Sequence, residues 1–190
     1  DVYGPPPEGM SLEEAFRGFL RPPFFPVEIE ALNGEITFHD LFDDQVVVGD
    51  AKVTSRTVPH VGRTAGYRVE YAGVTVAYVS DHQAPIDGSM DVAESVLELA
   101  DGVDLLIHDA QYTPAEFATK VDWGHCTIDY AVNVAAQAGA RRLALFHHDP
   151  AHDDDTLDAL TAAAAQQGEA LGVEAVAAYE GLAIAFDHPE

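Results

Sequence analysis

Three residues whose types suit metal chemistry recur in one sequence context. His60 follows the strand-like run Lys52–Val58, Asp81 follows Val74–Ser80, and His147 follows Leu143–Phe146. Loops at strand ends are where layered α/β folds gather working groups, because the sheet holds those ends rigid and close together. Imidazole and carboxylate both ligate zinc, manganese or iron, and a carboxylate can bridge two ions, as a site that splits phosphate esters requires. A lone His at a strand end is more often a surface or hydrogen-bonded group than a ligand; the case rests on three residues in the same position. The chain has one cysteine, Cys126, so it forms no internal disulfide and no thiolate cluster, and its metal ligands must come from nine histidines and the carboxylates.

The elements that must position these residues change character at Asp81. Before it, Asp1-Val2-Tyr3 is a short strand, a Pro- and Gly-rich turn follows, and Ser11 to Leu20 is a helix capped by Ser11 and stopped by Pro22-Pro23. The apolar patch Phe24-Phe25-Pro26-Val27 is expected in the core. Strands are predicted at 35–38, 45–48 and 52–58, and the runs 66–71 and 74–79 flank Ala72-Gly73 as a hairpin. After Asp81, helices at 89–101, 128–139 and 156–168 alternate with buried strands at 104–107 and 142–146, and 173–178 and 182–186 close the chain. An antiparallel sheet followed by β-α-β-α units predicts one layered α/β domain over residues 1–190 with helices packed on the sheet.

The segments around these residues carry a family resemblance. His60-Val61-Gly62-Arg63-Thr64-Ala65-Gly66-Tyr67-Arg68-Val69 resembles the third metal motif of metallo-β-lactamase-fold hydrolases of the ribonuclease Z-like branch. Ala77-Tyr78-Val79-Ser80-Asp81 resembles the fourth, whose Asp bridges the metals, and Leu143-Ala144-Leu145-Phe146-His147 the fifth, a strand ending in a ligand His. Ile107-His108-Asp109-Ala110 stands where the branch has His-Glu-Ala, and Trp123-Gly124-His125-Cys126-Thr127 where it has Gly-His-Ser-Thr. The resemblance implies His60, Asp81 and His147 as metal ligands, His125 as general acid or phosphate contact, and Asp109 as its orienting carboxylate. Asp109 is shorter than the family's Glu, and Cys126 replaces its Ser. His148, Asp149 and His82 read as neighbours supporting the ligands or as turn and surface residues, and His39, His152 and His188 as surface residues.

The implied fold is an αββα sandwich, and the implied cofactors are two divalent ions, zinc or manganese, with iron also suited to the ligands. The branch's His-x-His-x-Asp-His motif, which supplies four ligands, occurs nowhere in the 190 residues. The chain is therefore expected to be the C-terminal portion of a metallo-β-lactamase domain, incomplete at its N-terminus. As such it should bind metal weakly, hydrolyse poorly, and expose an apolar face or sheet edge.

Function is narrowed by spacing and charge. Only 21 positions separate His60 from Asp81, and the hairpin consumes nearly all of them, leaving no room for the tRNA-gripping insertion of ribonuclease Z relatives. The net charge is −24, with 33 acidic residues against nine basic ones, which argues against nucleic acid as a partner. An acidic proteome and a field that draws cations both account for that charge. Together with Trp-Gly-His and His-His-Asp-Pro, the compact pattern resembles phosphodiesterases of small cyclic phosphates. The expectation is a metallo-hydrolase in which a metal-bound hydroxide attacks phosphorus and His125 assists departure of the leaving oxygen. The alternatives are hydrolysis of a lactone, thioester or sulfate ester on the same metals, and a non-catalytic acidic binding module. With no apolar run near the roughly 20 residues that span a bilayer, and no signal peptide visible, the chain is expected in the cytoplasm without membrane contact. The resemblance also allows a homodimer.

Overall fold

In the computed structural model, which describes residues 1–186, most strands join one seven-stranded sheet. The chain opens with β1 (Val2–Gly4) and α1 (Leu12–Phe19), then β2 (Phe38–Asp40), which pairs in parallel with β1. The main sheet follows in chain order: β3 (Gln45–Val48), β4 (Ala51–Thr57), β5 (Ala65–Tyr71), β6 (Val74–Val79), β7 (Leu105–Asp109), β8 (Arg142–Phe146) and β9 (Glu174–Ala177). Helices α2 (Glu94–Ala100), α3 (Pro114–Phe117), α4 (Ile128–Ala138) and α5 (Asp154–Leu171) lie between the later strands.

Pairing is antiparallel from β3 to β6 and parallel from β6 to β9. The hairpin between β5 and β6 turns at Ala72-Gly73, both with positive φ, as a tight two-residue turn that matches the strand twist requires. Because β4 and β6 both run opposite to β5, and β7 and β8 run with β6, the C-terminal ends of β4, β6, β7 and β8 share one end of the sheet. His60, Asp81, Asp109 and His147 all sit at or just beyond those ends.

The core lies on one face. Ala77, Val79, Leu106, His108, Leu143 and Leu145 point toward Val96 and Leu99 of α2 and Val132 and Ala135 of α4, and all of them are essentially inaccessible. Gly66 is required there: a Cβ would fall 2.8 Å from Leu99 Cδ1. The opposite face is less covered. Val69, Tyr71, Tyr78 and Phe146 share it by register and are all at least a third exposed, with the Tyr78 and Phe146 rings 5.9 Å apart. The segment 182–186 reaches this face, where Phe186 lines a hollow with Val69, Tyr71, Val74 and Val76, and Arg142 donates to the Ala185 carbonyl.

Most expected elements appear, with differences. Residues 182–186 form no strand, and the strand expected at 35–38 begins only at Phe38. The helix expected from Ser89 starts at Glu94, while α3 and a 3₁₀ turn at Ile29–Ala31 were not anticipated. Phe24, Phe25 and Val27, expected in the core, are exposed, since nothing among the described residues packs over that bend. His188 lies outside the described residues. No helix among the described residues is long and apolar enough to cross a membrane.

Candidate active site

The structure brings His60, Asp81, Asp109, His125 and His147 to one place. His60, Asp81 and His125 each offer a ligand atom within 4.8 Å of the other two, and so do Asp109, His125 and His147. The His125 ring lies edge-on to both neighbours, with centroids 5.5 Å from His60 and 4.6 Å from His147. His147 Nδ1 stands 3.5 Å from Asp81 Oδ1, and His60 Nε2 stands 4.0 Å from the same oxygen. Asp81 itself accepts from the Ser80 hydroxyl at 2.6 Å.

One pattern orders the three imidazoles. In each, Nδ1 faces an oxygen that carries no hydrogen: the Val61 carbonyl for His60 at 2.8 Å, the Asp109 carboxylate for His125 at 2.7 Å, and the Ser80 carbonyl for His147 at 2.8 Å. Nδ1 must therefore donate, which leaves every Nε2 with a free lone pair in the neutral ring. His60 Nε2 is buried with no hydrogen-bond partner at all. A buried lone pair without a partner is costly in a structural role and is what a ligand atom requires, so this donor set fits a divalent cation. His147 takes a left-handed backbone, φ 58°, rare for a residue with a side chain and a form of strain that gathers at functional sites.

Asp109 is fully buried and is the organising anion. Besides His125, it accepts from the backbone N–H groups of His82 and Gln111, both at 3.2 Å. Its hydrogen bond holds the His125 imidazole above its ordinary pKa, against the opposing effect of burial. The Cys126 thiol is buried beside it, 3.0 Å from the Asp109 carbonyl, and desolvation pushes its pKa well up, so it is an inert packing group.

Of the other histidines, His82 and His152 differ from expectation, while His148 takes one of its two expected places. His82 faces neither solvent nor a ligand imidazole: it is fully buried, with Nδ1 2.9 Å from His108 Nε2, and His108 Nδ1 in turn donates to the Asp109 carbonyl. Burial depresses the pKa of both rings, so the pair is neutral. His148 reaches the Ala178 carbonyl at 3.1 Å, and Asp149 accepts from Lys120 and the Ala151 N–H, so both hold the turn rather than support a ligand. His152, expected on the surface, has a side chain only 6% exposed, with Nε2 2.9 Å from Glu116.

Comparison with known proteins identifies the family and the fold. A family model described as a beta-lactamase superfamily domain matches residues 1–148. Ribonuclease Z of Brevibacillus brevis is 24% identical over 83% of this chain and 60% of its own length. Ribonuclease Z of Sulfolobus acidocaldarius is 40% identical over 40% of this chain and 22% of its own length. Among solved structures, the metallo-beta-lactamase fold protein YhfI of Bacillus subtilis superposes with a TM-score of 0.68 at 19% identity, over 95% of this chain and 63% of that one. The chain thus spans less than two thirds of these relatives. The fold is that of the metallo-β-lactamases, with the layered sheet and helices that the resemblance implied. The chain belongs to the beta-lactamase superfamily domain family.

Proposed function

We propose that this chain carries part of a dinuclear metallo-hydrolase site acting on a phosphodiester, a small cyclic phosphate ester fitting best. The observation that supports the reading is the set of three imidazoles that gather with Asp81 and Asp109, each with its Nδ1 facing an oxygen acceptor and His60 Nε2 buried without a partner. His60, Asp81 and His147 would hold the ions, and zinc, manganese and iron all suit that donor set. When bound, such ions polarise a phosphoryl oxygen and acidify water.

The chain's own residues supply the proton chemistry. The oxygen of water bonds to phosphorus and sheds one proton to solvent as the bond to the leaving oxygen breaks, and His125 Nε2 delivers the proton that the leaving oxygen needs. Asp109 fixes the tautomer through Nδ1 and stabilises the imidazolium before the transfer. Three ligands do not complete two four- or five-coordinate ions, so the reading includes further ligands from outside these 190 residues. The apolar sheet face around Tyr71 and Tyr78, only partly covered among the described residues, is where a second β layer would pack, which supports a larger domain.

A second reading, RNA as the phosphodiester, draws on the relatives named ribonuclease Z. That kinship weighs against excluding nucleic acid on charge alone. The small-ester reading is supported by the tight Ala72-Gly73 hairpin, which leaves no inserted element between β5 and β6, and by the net charge of −24. In the intact gene product we expect close to two divalent ions per chain by elemental analysis, and turnover of bis-p-nitrophenyl phosphate. Cleavage of a lactone with no phosphodiester turnover would sink the phosphodiesterase reading, and absence of stoichiometric metal would leave a binding module. Processing of a pre-tRNA in preference to cyclic phosphates would favour RNA.

A further inference from the structure

Gln83 ties together three segments that carry the site. Its backbone N–H donates to the Pro59 carbonyl at 2.7 Å, immediately before His60, and it follows Asp81 by two residues. Its side chain reaches across to the segment that presents His125. The amide nitrogen lies 2.9 Å from the Val121 carbonyl, 3.3 Å from that of His125, and 2.7 Å from that of the adjoining Ala84. The amide oxygen accepts the Gly124 N–H at 2.7 Å. Three carbonyls on one end and an N–H on the other allow only one orientation of the amide. The Ala84 N–H adds a bond to the His125 carbonyl at 3.2 Å.

The clasp matters because it holds the main chain of the 121–125 segment, where Asp109 holds only the His125 ring and the Trp123 N–H bonds locally to the Lys120 carbonyl. Gly124 sits directly on His60: a Cβ there would fall 2.7 Å from His60 Nε2. With the Gly124 N–H and the His125 carbonyl both bound to residues 83 and 84, the His125 ring is aimed between His60 and His147. We infer that Gln83 is a positioning residue, whose side-chain amide sets the placement of the proton-donating His125 relative to the ligand-bearing strand ends. The inference rests on the reading of His125 given above.

The test uses the intact protein and two variants. Gln83→Leu removes both ends of the amide. Gln83→Glu keeps the shape but sets a carboxylate, which cannot donate, against three carbonyls. In Gln83→Leu the Gly124 amide should exchange with solvent at least about tenfold faster, while in both variants the amides of Leu143 to Leu145 in β8 keep their protection. With metal loaded, kcat for bis-p-nitrophenyl phosphate should fall about ten- to a hundredfold with KM within about twofold, as misplacement of a proton donor predicts. Unchanged Gly124 exchange in Gln83→Leu would overturn the assignment. So would loss of protection throughout the sheet in both variants, which would make Gln83 a general staple, or a raised KM with kcat intact. If the unsubstituted protein turns over no phosphodiester, the functional reading fails, and the exchange measurement still decides the role of Gln83.

Discussion

Gly124 shows how narrowly the site is built at the scale of single residues. Its φ of 98° disfavours any side chain, and a methyl group would meet the His60 ring. Gly124→Ala should cost about 1–3 kcal/mol in urea unfolding, and it should weaken metal uptake by the intact protein, because His60 must move; unchanged values for both would show that the loop yields freely. The five site residues expected by resemblance converge in space, since each lies at or near a strand end or cap that local pattern marks. Gln83, His82 and His108 were not legible in those roles. The partners that tie them to other segments lie 26 to 42 positions away, and no spacing rule reports a contact made only after the sheet and loops close.

At the scale of elements, Asp104 staples the parallel seam between β6 and β7. It accepts from the Thr75 N–H at 2.8 Å and the Thr75 hydroxyl at 3.2 Å, and pairs with Arg141 at 3.1 Å. The Thr75 N–H bond holds its pKa below the usual carboxylate range. A depressed folded pKa stabilises above the unfolded value near 4 and ceases to do so as pH falls through the folded pKa. Asp104→Ala should thus cost about 1 kcal/mol at pH 7, and the difference from the unsubstituted chain should shrink in unfolding curves taken below about pH 4. Strands were legible here through alternation and Gly or Asp punctuation. The start of α2 was not: the Met90 and Asp91 carbonyls that a longer helix would bond internally instead accept from Asn133, Gln137 and Tyr130 of α4. The capping box of Thr113 and Glu116 announces α3, but only one turn of helix follows it.

For the whole molecule, the net charge of −24 comes from 33 acidic residues against nine basic ones, so self-repulsion opposes folding at low ionic strength. Raising sodium chloride from about 10 mM to about 500 mM shortens the screening length from about 30 Å to under 10 Å, and Tm measured calorimetrically should rise by several degrees; a fall would mean that attractive ion pairs outweigh the repulsion. The layered class was legible from the switch between antiparallel and alternating grammar at Asp81, whereas the uneven covering of the two sheet faces is set by packing across the whole fold. The hydrogen-bond partners of the three imidazoles differ in a way that bears on how such a site can change over generations. His60 and His147 are held by main-chain carbonyls, which no single substitution deletes, while His125 is held by the side chain of Asp109. Heritable variation in the bond that orients His125 is therefore channelled through position 109, whereas the main-chain acceptors of His60 and His147 outlast any single side-chain change.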